Sequence, residues 1–437
     1  MRKTRVLTVL FVLLALGATL APGETARAVE TPLQTSPMVG RTWKTGASIW
    51  AGTNATFGDD ASETLTVRVR LASACGTCWL SSVEMTKSGT GGGYRSWKAE
   101  IGGLAPATQY DYRIFASGLT GERGGSSFMT EPDAPARFKV GVSSCMNGEK
   151  QPSQPSFSIM REQLDNGQPN LHVLLGDNMY TTQNPPTKEH YWFKYMQQRQ
   201  VPEFASVYRR FPTYSIWDDH DYGPNDEDTT FAQKDVARAA FDDLWAHPPF
   251  AGDGIYHTFN WGAANGTGGV DFFMMDDRWG RDCPQNMPPG YAPHMYGNPQ
   301  FEWLKSQLLA SRATFKVIAN GSTLNSECWG AQRQQLFNFI VNNNIKGVLF
   351  ITGDIHRSQL TQRTLSSGYP LWEVTSSGIG VAGEQEEFGF AILNFDLTLA
   401  DPSVTFQIIK NPQKSSSING PGVTVTSRTV RRSQLQN

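Results

Sequence analysis

The texture of this 437-residue chain changes at Glu131-Pro132-Asp133-Ala134-Pro135, and that change constrains the fold more than any other feature. Before it, from about residue 36 to 130, short alternating runs such as Ala47-Ser48-Ile49-Trp50-Ala51 and Leu65-Thr66-Val67-Arg68-Val69-Arg70-Leu71 are broken by Gly, Ser, Thr and Asn. Period-two runs with no helical stretch between them predict an all-β sandwich. The prolines at 132 and 135 disfavour helix and central strand, so this segment reads as a linker. After it, strand-like runs (138–142, 171–175, 271–275, 315–319, 347–352, 391–397) alternate with helical patterns (156–166, 189–209, 235–246, 300–310, 332–342). That order predicts a layered α/β domain. The length agrees, being enough for about two or three domains. Beyond Asn411 the chain is Ser- and Thr-rich; residues 423–430 are expected to form one last strand, and the end to be loose.

The first residues carry basic Arg2, Lys3 and Arg5, an apolar stretch from 6 to 20, and Ala26-Arg27-Ala28. This is the pattern of a Sec-type signal peptide cleaved after Ala28, and no twin-arginine pair accompanies it. The expected divisions are therefore 1–28 signal peptide, 29–135 β-sandwich and 136–437 catalytic domain, in a protein secreted or held in the periplasm or cell envelope. Removing 1–28 takes away four basic residues and one acid, moving the net charge from -2 to about -5. Bulk charge thus gives no support to nucleic-acid binding. No later stretch is apolar enough to span a bilayer. Of the five cysteines, Cys75 with Cys78 and Cys283 with Cys328 are expected to pair by position. Cys145 is left over. Metal ligation would explain a free thiol in an exported protein; a buried inert cysteine is the other reading.

Reactive groups of α/β domains tend to lie just past the carboxyl ends of strands. Four segments have that placement: Cys145, Gly176-Asp177-Asn178-Met179-Tyr180, Trp217-Asp218-Asp219-His220-Asp221, and Gly353-Asp354-Ile355-His356. Any one could be a polar loop, and Asp218 to Asp221 a solvated acidic turn at a helix end. Carboxylates this crowded repel one another unless a cation neutralises them. Cys145, Asp177, Tyr180 and His356 offer a thiolate, carboxylate, phenolate and imidazole, a set that suits a transition metal and Fe³⁺ in particular. Asp177, Asp219 and Asp354 offer oxygen only, which suits Ca²⁺, or else Mn²⁺ or Mg²⁺.

Together these motifs, supported by Asp277-Arg278, Gln300-x-x-Trp303-Leu304 and Phe315-Lys316-Val317-Ile318, resemble the PhoD-type alkaline phosphatases of the calcineurin-like metallophosphoesterase superfamily. The resemblance covers about 136–410 and implies an αββα sandwich behind an N-terminal fibronectin III-like β-sandwich, with an iron and calcium centre. By position it implies that Cys145 stands where the superfamily has its D-x-H ligands and that Asp177 bridges two metals. It also makes Asp219 and Asp354 ligands of the harder ion, and His356 the retained histidine of the last block. His220 then acts on the phosphoryl group or the leaving oxygen, with Asp221 orienting its ring. Asn225 and Asp226 are candidates for an additional metal. Arg278 is a candidate phosphate clamp, an ion pair with Asp276 or Asp277 being the alternative. His172, His190, His247, His257 and His294 match no ligand block and are read as structural or surface residues.

The function this predicts is hydrolysis of phosphomonoesters by a metal-bound hydroxide, releasing inorganic phosphate. One alternative is a phosphodiesterase of the phospholipase D or teichoic-acid type on the same centre. Its wider pocket would draw on the aromatic stretches 191–193 and 245–250. The other alternative is a non-catalytic, calcium-stabilised surface-binding protein. A monomer is expected, with a phosphate ester as its partner.

Overall fold

The computed structural model describes residues 32–264, 266–284, 286–381, 388–411 and 422–436. The expected signal segment and part of the Ser/Thr-rich tail lie outside the described residues. Eight strands occupy the first part: β1 (Met38–Trp43), β2 (Gly46–Asn54), β3 (Leu65–Leu71), β4 (Ser81–Glu84), β5 (Thr86–Gly91), β6 (Tyr94–Ile101), β7 (Gln109–Ala116) and β8 (Gly124–Met129). They form two four-stranded antiparallel sheets, ordered β1-β2-β6-β5 and β4-β3-β7-β8. In β3 the apolar residues Leu65, Val67 and Val69 are buried while the polar ones between them reach solvent. The two inward faces share one core, in which Ile49, Trp97 and Ile101 meet Val67, Tyr112 and Ile114. Strand alternation thus becomes burial.

The remaining elements are β9 (Arg137–Ser143), α1 (Ser156–Leu164), β10 (Leu171–Leu175), α2 (Lys188–Arg199), α3 (Pro202–Tyr208), β11 (Thr213–Ile216), α4 (Asp219–Tyr222), α5 (Lys234–Leu244), β12 (His257–Trp261), β13 (Val270–Met274), α6 (Asn298–Ala310), β14 (Phe315–Asn320), α7 (Gly330–Asn342), β15 (Val348–Thr352), β16 (Gln359–Thr364), β17 (Pro370–Thr375), β18 (Phe388–Asp396), β19 (Ser403–Asn411) and β20 (Val423–Arg431). They build two mixed six-stranded sheets, β11-β10-β9-β18-β19-β20 and β12-β13-β14-β15-β17-β16. The sheets face each other: Phe138 of β9 packs on Trp261 of β12, Phe395 of β18 on Phe315 of β14, and Phe406 of β19 on Trp372 of β17. Helix α1 lies on β9 and β18. Because inner faces are taken by the opposite sheet, the crossover helices of the parallel strands are left to the outer faces. Parallel strands buried on both sides read as unbroken apolar runs, as in Val348–Thr352.

Two expectations are corrected. The helix anticipated over 189–209 is two helices, because the residue before a proline is disfavoured in the α region; Val201 is extended and α3 begins at Pro202. The end of the chain is docked rather than loose. Leu435 is fully buried, Gly347 donates its N–H to the Leu435 carbonyl at 2.9 Å, and Arg432 Nε donates to the Thr314 carbonyl at 2.7 Å.

Of the aromatic stretches 191–193 and 245–250, Tyr191, Trp192 and Trp245 are core residues. Trp192 and Trp245 are buried where the eight-stranded part meets the rest. The Arg199 guanidinium sits between Trp50 and Trp245, 4.0 and 4.7 Å from their ring centroids. Such stacking compensates a cation that is 1% exposed. No helix among the described residues is long and apolar enough to cross a membrane.

Candidate metal centre

The parallel strands of the two facing sheets deliver their carboxyl ends to one edge, and the chemistry-bearing residues leave from there. Cys145 follows β9, Asp177 follows β10, and Asp218 to Asp221 follow β11. From the opposite sheet come Asp276 to Arg278 after β13, Gly321 after β14, Asp354 to His356 after β15, and Ser376-Ser377 after β17. Close approach of these loops is built in: a Cβ at Gly176 would stand 2.5 Å from that of Asp218, and one at Gly321 would stand 2.8 Å from both Asp218 Cγ and Asp277 Oδ1. The backbone is also strained here. Among the described residues seven non-glycine residues have positive φ, and five of them are Cys145, Asp177, Asp226, Asp354 and His356. Each such residue costs about 1–3 kcal/mol, and strain concentrated at one site is evidence that the site is over-determined for a purpose.

Two sets of candidate ligand atoms converge, and they share one residue. Atoms of Cys145, Asp177 and His356 lie within 4.8 Å of one another, as do atoms of Asp177, Asp219 and His220. Tyr180 ties the sets together. Its hydroxyl donates to Asp177 Oδ2 at 2.9 Å and lies 3.1 Å from His356 Nε2, while its ring packs on His220 at 4.1 Å. The Cys145 thiol is free and buried, with its sulfur 3.0 Å from Ser377 Oγ and 3.3 Å from Ser144 Oγ. Both expected disulfides, Cys75–Cys78 and Cys283–Cys328, are formed.

Protein donors alone do not neutralise this cluster. Burial pushes the Cys145 thiol up to about 11, and burial with the neighbouring Cys145 and Asp219 charges holds the Asp177 carboxyl well above its ordinary range. Burial and Asp219 raise Asp354 to about 6. Asp219 is the exception: burial opposes its charge, but Arg278 and His220 outweigh that and hold it at about 2. Burial lowers His220 and His356, which favours neutral rings. His220 Nδ1 is buried with no partner. A bound cation reverses this logic by favouring the ionised thiol and carboxylates.

Other candidates are placed differently from expectation. Asp221 does not orient His220. Its carboxylate accepts from the N–H groups of Asn178 at 3.1 Å and Asp218 at 3.2 Å, and from the Tyr195 hydroxyl at 2.8 Å. Neighbouring residues on a helix point about 100° apart, so Asp221 turns inward and fixes the β10 and β11 loops to each other. Burial raises it to about 7.

Arg278 is not a free phosphate clamp, nor do its side-chain contacts go to Asp276 or Asp277. Its Nε donates to Asp218 Oδ1 at 2.5 Å, its Nη2 pairs with the same oxygen, and Asp219 Oδ1 is 3.9 Å away. With Arg278 and Asp218 at 1% and 0% exposure, the pair is sealed behind the site. Asn225 and Asp226 stand at its exposed side, joined by an Asn225 Nδ2 to Asp226 Oδ2 bond at 2.6 Å, and Asp226 N–H donates to Asp219 Oδ2 at 2.9 Å. His172 and His257 are buried structural residues, and His247 stacks on Phe250. Ser377 was missed because β17 was missed; a strand ending in Thr-Ser-Ser would have pointed to it.

Solved structures share this fold. A structure of PhoD superposes with a TM-score of 0.76 at 17% identity, covering 93% of this chain and 92% of that one. The purple acid phosphatase PPD1 from yellow lupin (Lupinus luteus) seeds superposes with a TM-score of 0.60 at 11% identity, covering 91% of this chain and 75% of that one. The fold is therefore metallophosphoesterase-like. Within that class, the model of PhoD-like phosphatases matches residues 140–411, and the chain belongs to the PhoD-like phosphatase family. Alkaline phosphatase D of Bacillus subtilis (strain 168) is 25% identical over 232 residues, which are 44% of this chain and 39% of that protein. The chain thus aligns with less than half the length of this curated relative.

Proposed function

We propose that the chain is an exported, metal-dependent phosphatase that hydrolyses phosphomonoesters and releases inorganic phosphate. The observation that carries this reading is the pair of ligand sets sharing Asp177, one with the Cys145 thiol and the His356 imidazole, the other with the Asp219 carboxylate and the His220 imidazole. Membership of the family supports the reaction class. Two formed disulfides suit an oxidising compartment. In this reading the sandwich of β1 to β8 is a separate domain ahead of the catalytic one.

The residues present fit two metal ions. The free thiol and the under-neutralised carboxylates call for a cation. Cys145, Asp177, Tyr180 and His356 would hold Fe³⁺, while Asp177, Asp219 and Asp354 would hold Ca²⁺, or else Mn²⁺ or Mg²⁺. Asn225 and Asp226 would serve an additional ion. When bound, the ions supply Lewis acidity and neutralise phosphoryl charge.

The chain's own groups do the rest. His220, its ring packed on Tyr180 and its backbone N–H donating to Asp219 Oδ1 at 3.0 Å, carries a neutral imidazole at the mouth of the site. A neutral ring holds one N–H, which can bond a phosphoryl oxygen or follow the leaving oxygen as it gains charge. Asp221 keeps the two loops in register, and Arg278 with Asp218 seals the floor. Elemental analysis paired with hydrolysis of the mono- and bis-ester of one chromogenic phenol tests the proposal. Two metals per chain and faster monoester cleavage are expected; a preferred bis-ester would favour the diesterase reading, and a metal-free, inactive, folded protein would overturn both.

A further inference from the structure

This inference rests on the phosphoester-hydrolase reading and deepens it. A cleft of about 510 Å³ opens beside Asp354, walled by Arg281, Arg357, Asp226, Asn325 and the Cys283–Cys328 disulfide. Arg281 and Arg278 are three residues apart and have opposite surroundings. The Arg278 guanidinium is committed to Asp218. Arg281 enters no ion pair among the described residues; its Nη1 lies 3.4 Å from Ser322 Oγ and its Nη2 donates to Cys328 Sγ at 2.8 Å. Both are neutral acceptors, and the buried Nε has no partner.

Arg281 is only 5% exposed. Keeping a guanidinium buried is costly; the charges of Asp277, Asp218 and Asp226 reach it only through space and do not offset burial and the neighbouring Arg278, so a ligand that brings an anion into contact lowers the cost. The planar fork of arginine matches phosphate oxygens, and Arg281 retains N–H groups not committed to any carboxylate. Arg357, beside His356 on the rim of the same cleft, is exposed and enters no ion pair among the described residues. The cleft lining contains no aromatic side chain among the described residues, and its apolar side chains are few, Pro284 and Ile355 among them. An aryl or acyl-chain alcohol would find little to pack against there.

We propose that Arg281 binds the phosphoryl oxygens of the substrate in this cleft, with Arg357 assisting from the rim, and that the substrate is the phosphate ester of a hydrophilic alcohol. The test uses the metal-loaded enzyme with inorganic phosphate as the probe. Arg281→Gln is expected to weaken calorimetric phosphate binding and raise the KM for glycerol phosphate by about ten- to a hundredfold. Metal content per chain stays unchanged, and Arg281→Lys falls between. Arg357→Gln, at an exposed position, is expected to raise KM by roughly threefold and to flatten its salt dependence.

Unaltered phosphate affinity in Arg281→Gln with full metal content would overturn the assignment. If Arg281→Gln does not fold, unaltered affinity in both Arg281→Lys and Arg357→Gln would overturn it equally. A KM for phenyl phosphate below that for glycerol phosphate would overturn the substrate class. A wild-type protein that binds phosphate through Arg281 yet hydrolyses no ester would break the hydrolase reading and leave this one standing.

Discussion

Asp276 and Asp177 are both buried carboxylates at strand ends on the same edge of the molecule, and their surroundings are opposite. Asp276 accepts four bonds from protein donors: Trp217 Nε1 at 2.7 Å and the N–H groups of Trp279 at 2.9 Å, Ile255 at 2.9 Å and Arg278 at 3.0 Å. Asp177 has one good donor, the Tyr180 hydroxyl, and one long one, His220 N at 3.4 Å, and it is crowded by a thiol and further carboxylates. Burial and acidity are common to both, so neither distinguishes a structural carboxylate from a metal ligand. In the proposed reading, the donor count does. Asp221, with three donors, falls on the Asp276 side, which is why its expected role beside His220 fails while its position at the site stands.

Substitutions on the two sides of that division should separate activity from stability. The largest effect is expected at His220, on the donor-poor side: His220→Ala should lower kcat by about a hundred- to ten-thousandfold with metal content intact, and retained turnover would remove His220 from the chemistry. Asp276→Asn should behave in the opposite way. It leaves donors unmatched and should reduce unfolding free energy by about 2–3 kcal/mol in denaturant titration, with KM and metal content near wild type; loss of metal would erase the distinction.

A separate, pH-dependent effect should come from structural groups alone. Burial lowers His172 and His257 to about 3, below the 6.5 of an unfolded histidine. The folded state then binds fewer protons, so their stabilisation is full above about pH 6.5 and is lost as pH falls toward 3, each with a limiting slope of about 1.4 kcal/mol per pH unit. His172→Asn should flatten that acid limb in thermal melts taken between pH 7 and 4; an unchanged limb would place acid sensitivity elsewhere.

What could be read from the sequence follows the same physics. Fully buried parallel strands such as Leu171–Leu175 and Val348–Thr352 are continuous apolar runs, and the residues just past them, Asp177 and Asp354, were found because of that. Gln359–Thr364 is an edge strand of half-exposed polar residues with no such signal, and β17 beside it was lost too, taking Ser377 with it. Arg278 was singled out for its place after a strand, but spacing could not show that Asp218, sixty positions away, would claim its guanidinium at 2.5 Å. Arg281 carried no signal, because its surroundings come from the disulfide partner Cys328 and from Ser322 on another loop.

The central claim is that Asp177 is shared by two metal ions, and its most direct test is the metal content of purified wild-type and Asp177→Asn protein by elemental analysis. The account predicts two ions per wild-type chain, one of them iron, and loss of both in a folded Asp177→Asn variant. Retention of both ions by that variant, or an active wild-type protein with fewer than two, would contradict it.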